Sequence, residues 1–85
     1  MVRRLLVVDD SVTLRRIMAA VLSDAGYEVD VAADGAEALE RAQRMSFDLL
    51  LTDIVMPQLN GYQLAQAIRS VPSLRGLPVV LVSAR

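Results

Sequence analysis

Two short runs made wholly of apolar residues, Leu5-Leu6-Val7-Val8 and Leu49-Leu50-Leu51, each lead into aspartate: the first into Asp9-Asp10, the second through Thr52 into Asp53. A run with no polar residue for a wet face suits a strand covered on both sides, as strands of a parallel sheet are. Parallel neighbours need a crossover of a dozen or more residues between them. The intervening segments supply it. Ser11 is placed to cap a helix whose apolar Leu14, Ile17, Met18, Val21 and Leu22 recur at i, i+3, i+4, i+7 and i+8, and Gly26 is its stop. Asp34, with Glu37 three residues later, predicts a second helix start. Its dry face is Ala38, Leu39, Ala42 and Met45, and its wet face carries the pairs Glu37–Arg41 and Glu40–Arg44.

Between these helices, residues 27–32 alternate, with Tyr27, Val29 and Val31 on one side and Glu28 and Asp30 on the other, which predicts a half-exposed edge strand. A loop with Pro57 and Gly61 precedes a third helix carrying Leu64, Ile68 and Val71, and residues 78–82 predict a last strand ending at Ser83. Pro78 is acceptable there because a strand's first position can lack a donor. The order βαβαβαβ implies a parallel sheet with right-handed crossovers and helices on both faces. Ligands of such sheets bind beyond the carboxyl ends of the strands, where Asp9, Asp10, Asp53 and Ser83 all fall.

With 85 residues, 54% of them hydrophobic and 22% charged, the chain is expected to form one packed domain over residues 1–85. All nine cationic residues are Arg, scattered in ones and twos, so a nucleic-acid surface is not expected. The start Met1-Val2-Arg3-Arg4 is like a signal peptide's basic region, but the apolar run after it ends at two aspartates. No apolar run approaches the roughly 18–20 residues that span a bilayer. A cytoplasmic protein without membrane contact is the expectation.

Neither Cys nor His is present, so carboxylates and hydroxyls are the groups left for chemistry. Three carboxylates at one rim repel one another, and a raised pKa or a bound cation relieves this. Ligation by oxygen alone points to Mg²⁺, which takes one or two carboxylates plus substrate phosphate. Asp53, after the central apolar strand, is the best candidate nucleophile for an acyl phosphate, with the Ser83 hydroxyl placed to donate to a phosphoryl oxygen. Each residue also has a plainer role when taken singly. Asp9-Asp10 would cap the first helix, Asp53 would be a turn residue and Ser83 a strand-end hydroxyl. Met18 and Met45 are expected in the core and Met56 in a more exposed loop role. Arg15 and Arg16 are expected at the solvated surface, beside the acidic rim where a partner docks. Tyr62 and Gln63 have no derived role.

Asp9-Asp10, the run Asp53-Ile54-Val55-Met56-Pro57 with Gly61 four residues on, and Ser83-Ala84 together resemble the response-regulator receiver family of two-component signalling, over residues 5–85. The segment from Asp9 to Arg16 and the ending Ser83-Ala84-Arg85 look most like chemotaxis-type or hybrid-kinase receivers. The resemblance implies a flavodoxin-like α/β three-layer sandwich with sheet order 2-1-3-4. It also implies that Asp53 accepts phosphate from a histidine kinase or phosphotransfer domain. Asp10 would bind Mg²⁺ directly, Asp9 through water, and the Val55 backbone carbonyl would be a further ligand. Ser83 stands at the switch position.

The chain departs from the family in stopping before a helix, a fifth strand ending in Lys and a final helix. It holds no Lys at all. Arg85 is no simple replacement, because guanidinium is a planar fork and ammonium a point charge. The domain is therefore expected to be C-terminally incomplete, with its fifth strand missing or supplied by another chain. Self-association or a domain swap through the last strand is then expected. The alternative to a working phosphoacceptor is a phosphorylation-impaired, receiver-derived interaction module. A nucleotide-binding enzyme would need a G-x-G-x-x-G turn or a phosphate loop, and neither occurs.

Overall fold

A computed structural model describes residues 2–82. Its elements run β1 (Arg4–Val8), α1 (Val12–Asp24), β2 (Glu28–Ala32), α2 (Gly35–Arg44), β3 (Leu49–Asp53), α3 (Gly61–Ser70), a 3-10 turn (Pro72–Leu74) and β4 (Val79–Val82). The four strands are parallel in the order β2-β1-β3-β4, with helices on both faces, as the sequence predicts for a flavodoxin-like sandwich. The 3-10 turn, started by Pro72, carries no periodic signal and was not predicted.

Alternation along the strands divides the interior into two unequal halves. Leu6, Val8 and Leu50 face α2 and α3, where they pack with Ala32, Ala38, Ala42, Leu64, Ile68, Leu74 and Leu77 into one buried cluster. On the opposite face, Leu5, Leu49 and Leu51 border an open groove of about 420 Å³ beside Leu22 and Tyr27. The apolar stripe of α1 is there, yet no residue of α1 is fully buried. Ile17 is 53% and Val21 63% exposed.

Local signals account for the helix ends. Ser11 accepts the Leu14 N–H at 3.2 Å, and Gly26 takes φ +99° just past the Ala25 cap, a conformation that favours glycine. Asp34 accepts the Glu37 N–H at 2.8 Å, and the Glu37 carboxylate reaches back to the Ala33 N–H. The pairs Glu37–Arg41 and Glu40–Arg44 form on the wet face of α2. Asn60 and Gln63 make a reciprocal capping box at the start of α3.

As its alternation predicts, β2 is a half-exposed edge strand, with Val31 exposed and Ala32 buried in the cluster on the α2 side. Two expectations are corrected. Met56, expected in an exposed loop role, is only 7% exposed and belongs to the buried cluster, its sulfur 3.9 Å from the Thr52 hydroxyl. The helix carrying Leu64 and Ile68 stops at Ser70, and Val71 is its C-cap.

Candidate functional site

The ends of β1 and β3 are adjacent in the sheet, with Val8 paired to Thr52, so the residues that follow them emerge side by side. Asp9, Asp10 and Asp53 each offer a carboxylate oxygen there, and the three oxygens lie within 4.8 Å of one another. The sequence places these three at one rim, and the fold brings them together. Asp9 is 3% and Asp53 4% exposed, whereas Asp10 opens to solvent. Ser83, the fourth rim residue expected from sequence, lies outside the described residues. Val55 is exposed, and its N–H donates to Asp53 Oδ1 at 3.4 Å.

Asp9 is held on several sides. Its N–H donates to the Ala32 carbonyl at 3.2 Å, its Oδ1 accepts the Ser11 N–H at 2.8 Å, and its own carbonyl accepts Arg15 Nη1 at 2.7 Å. Burial pushes the Asp9 carboxyl above its ordinary range; the Ser11 N–H opposes this, and the charges of Asp53 and Asp10 add to the rise. The repulsion expected of a crowded acidic rim is thus present at Asp9.

Behind the site, the chain from Asp53 to Gly61 folds back on itself. The Gly61 N–H donates to the Ile54 carbonyl at 2.9 Å, and a Cβ at Gly61 would stand 2.5 Å from the Asp53 carbonyl oxygen. Gly61 is therefore required by close backbone approach rather than by its own dihedrals. Leu59, from the same loop, closes over Gly35 at the start of α2. Sequence reasoning assigned Arg15 to the solvated surface. The structure makes it a half-buried donor inside the β1–α1 turn, while Arg16, its neighbour, is exposed. The signal available was its i+4 spacing from Ser11, which turns it back over the cap.

The donor set fits a hard divalent cation. It is all oxygen, it gathers three carboxylates, one of them open to water, and the chain contains no His or Cys to favour a softer metal. Two carboxylates beside a buried third is also the arrangement in which a cation offsets like charge.

Comparison with known proteins agrees with this geometry. The family model described as the response regulator receiver domain matches residues 5–85, and the chain belongs to that family. It is 42% identical over 82 residues to the response regulator Rre1 of Synechocystis, and 40% identical over 80 residues to the gliding motility regulatory protein of Myxococcus xanthus. These alignments cover 95% and 94% of the chain but 36% and 10% of the relatives, so the chain spans a minor part of the proteins it matches. Among solved structures, the chemotaxis protein CheY4 of Vibrio cholerae superposes with a TM-score of 0.91 at 38% identity, over 95% of this chain and 68% of that one. The response regulator TrrA of Thermotoga maritima, solved in complex with Mg²⁺ and BeF, superposes with a TM-score of 0.90 at 35% identity, over 98% of this chain and 70% of that one.

Proposed function

We propose that this receiver domain takes a phosphoryl group from a histidine kinase or phosphotransfer domain onto Asp53, with Mg²⁺ held by Asp9, Asp10, Asp53 and the Val55 carbonyl. The observation that carries the reading is the convergence of three carboxylates from two adjacent strand ends. The Mg²⁺ bound in the similar TrrA structure supports the choice of metal.

In this reading an Asp53 carboxylate oxygen forms the new bond to phosphorus while the bond from phosphorus to the donor's imidazole nitrogen breaks. The imidazole leaves and takes up a proton from water. The product is an aspartyl phosphate, so the event is self-modification rather than turnover of a substrate. Mg²⁺, when bound, offsets charge on the transferred group. Asp10, open to solvent, would hold the metal directly, and buried Asp9 would help through water. The Val55 N–H donates a long bond, 3.4 Å, to Asp53 Oδ1 and favours one rotation of the acceptor carboxylate. The Ser83 hydroxyl would donate a hydrogen bond to a phosphoryl oxygen and act as the switch. A cytoplasmic setting suits a module that meets kinases, and no helix among the described residues is long and apolar enough to cross a membrane.

The test is the mass of the protein after incubation with acetyl phosphate, with and without Mg²⁺, beside Asp53→Asn. A Mg²⁺-dependent adduct lost in the variant is expected. No adduct, in a chain that circular dichroism shows to be folded, would reject Asp53 as acceptor in favour of an interaction module. A second role, self-association through the β4 edge, is favoured by the exposed apolar side chains Ile17, Val21 and Val80 on the α1 side of the sheet.

A further inference from the structure

Arg15 is drawn into the acidic rim in a way neither its charge nor its place in α1 requires. It is the fourth residue after Ser11, so the first turn of the helix carries its side chain back over the cap. There Nη1 donates to the Asp9 carbonyl at 2.7 Å, a short bond from a charged donor. The same peptide group joins Asp9 to Asp10, so the guanidinium grips the one backbone unit that carries two of the three clustered carboxylates. The Asp9 carboxylate is tied to the Ser11 N–H and the Asp9 N–H to Ala32, and Arg15 completes the fixation of the turn.

We propose that Arg15 is the positioning residue of the metal site, setting the Asp9-Asp10 turn so that the three carboxylates converge on one divalent cation. This rests on the reading of that cluster as a Mg²⁺ site. Two effects of Arg15 on such a site have opposite signs. Its positive charge repels a cation, while its hydrogen bond holds the ligands in place. Positioning wins, because a group bonded behind a metal ligand typically changes affinity by about 10–100-fold when removed. The repulsion between a half-exposed guanidinium and a hydrated cation is softened by water.

Calorimetric titration of the chain with MgCl₂ separates the two. Arg15→Met keeps the length of the side chain and removes both charge and donors. Arg15→Lys keeps the charge but not the planar fork. Both variants are expected to bind Mg²⁺ more weakly, Arg15→Met by about 10-fold, the lower end of that range. In acetyl phosphate labelling, the Mg²⁺ concentration for half-maximal rate should rise in parallel, with the rate at saturating Mg²⁺ changed less than the half-saturation point. Unchanged or tighter binding in Arg15→Met would overturn the proposal and leave only charge repulsion. Should Arg15→Met not fold, Arg15→Leu, which also lacks charge and donors, decides in its place: wild-type affinity refutes the positioning role and weakened affinity supports it. The two readings fail differently. A wild-type chain that binds Mg²⁺ but takes no phosphate removes the phosphoacceptor function and leaves the positioning role standing. A wild-type chain that binds no Mg²⁺ removes both.

Discussion

At the residue scale, the site stores a conflict between neighbouring charges. Asp9 is buried against two other carboxylates, and its raised pKa means that the folded protein holds its proton more tightly than the unfolded chain does. Such a group stabilises the fold fully below its ordinary value of 3.8, and that contribution is lost as pH rises through the raised folded value. In metal-free protein, Asp9→Asn keeps an acceptor for the Ser11 N–H and removes the charge. Its thermal midpoint should exceed that of the wild type at neutral pH, with the gain shrinking as the pH approaches 4. Mg²⁺ should stabilise the wild type and do less for the variant. A second prediction concerns Gly61, where an added Cβ would strike the backbone of Asp53 and Ile54. Backbone cannot swing aside as a flexible side chain does. Gly61→Ala should therefore cost about 1–3 kcal/mol, read from the urea midpoint, and should slow labelling of Asp53.

The elements show which signals the chain carried and which it did not. β1 and β3 were legible because their apolar runs stop at aspartate, and the stop alone places all three carboxylates at one rim. The caps at Ser11 and Asp34 depend on side chains three residues from their targets, so local sequence encodes them, and the Asn60–Gln63 box, which the sequence reading left without a role, has the same spacing. Met56 was illegible because nothing in 54–60 announces that the loop turns inward. That follows from the bond between Gly61 and Ile54 and from space beside Thr52. Gln58 takes φ +66°, a conformation its side chain disfavours, again imposed by the path of the loop. In β2, alternation gives two faces but not the depth of the cluster that each one meets. For α3, loss of the reciprocal cap in Asn60→Ala should cost about 1 kcal/mol. Leu50→Ala, which removes a fully buried side chain from the centre of the sheet, should cost about 2–5 kcal/mol. Chemical denaturation of the two variants checks the ranking.

For the whole molecule, the two faces of the sheet differ in how they meet solvent. The α2–α3 side holds the buried cluster, while the α1 side keeps a groove and exposed Ile17, Val21 and Val80, the last 41% exposed on an outer strand. If this surface pairs with a second copy, Val80→Lys should move the sedimentation profile at high concentration toward monomer, because a charge on an edge strand opposes pairing. An unchanged profile would place any association elsewhere. The architecture of the sheet, its order and the meeting of Asp9, Asp10 and Asp53 were expected from sequence. The imbalance between the two faces shows itself only in the depth to which α1 fails to sink.

That imbalance also divides the site between a firm and a yielding half. Asp53 is anchored through β3 to the buried cluster, whereas Asp10 and Arg15 belong to the turn and helix on the open side. Amide hydrogens of α1 should exchange with deuterium well before those of β1, β3 and the inner face of α3, since few buried contacts oppose its opening. Each such opening would loosen Asp10, the member of the acidic cluster nearest the helix, from Asp9 and Asp53. A cation bridging all three would then act as a latch, slowing exchange in α1 most of all, and metal occupancy would be readable from a helix whose side chains never touch the ion.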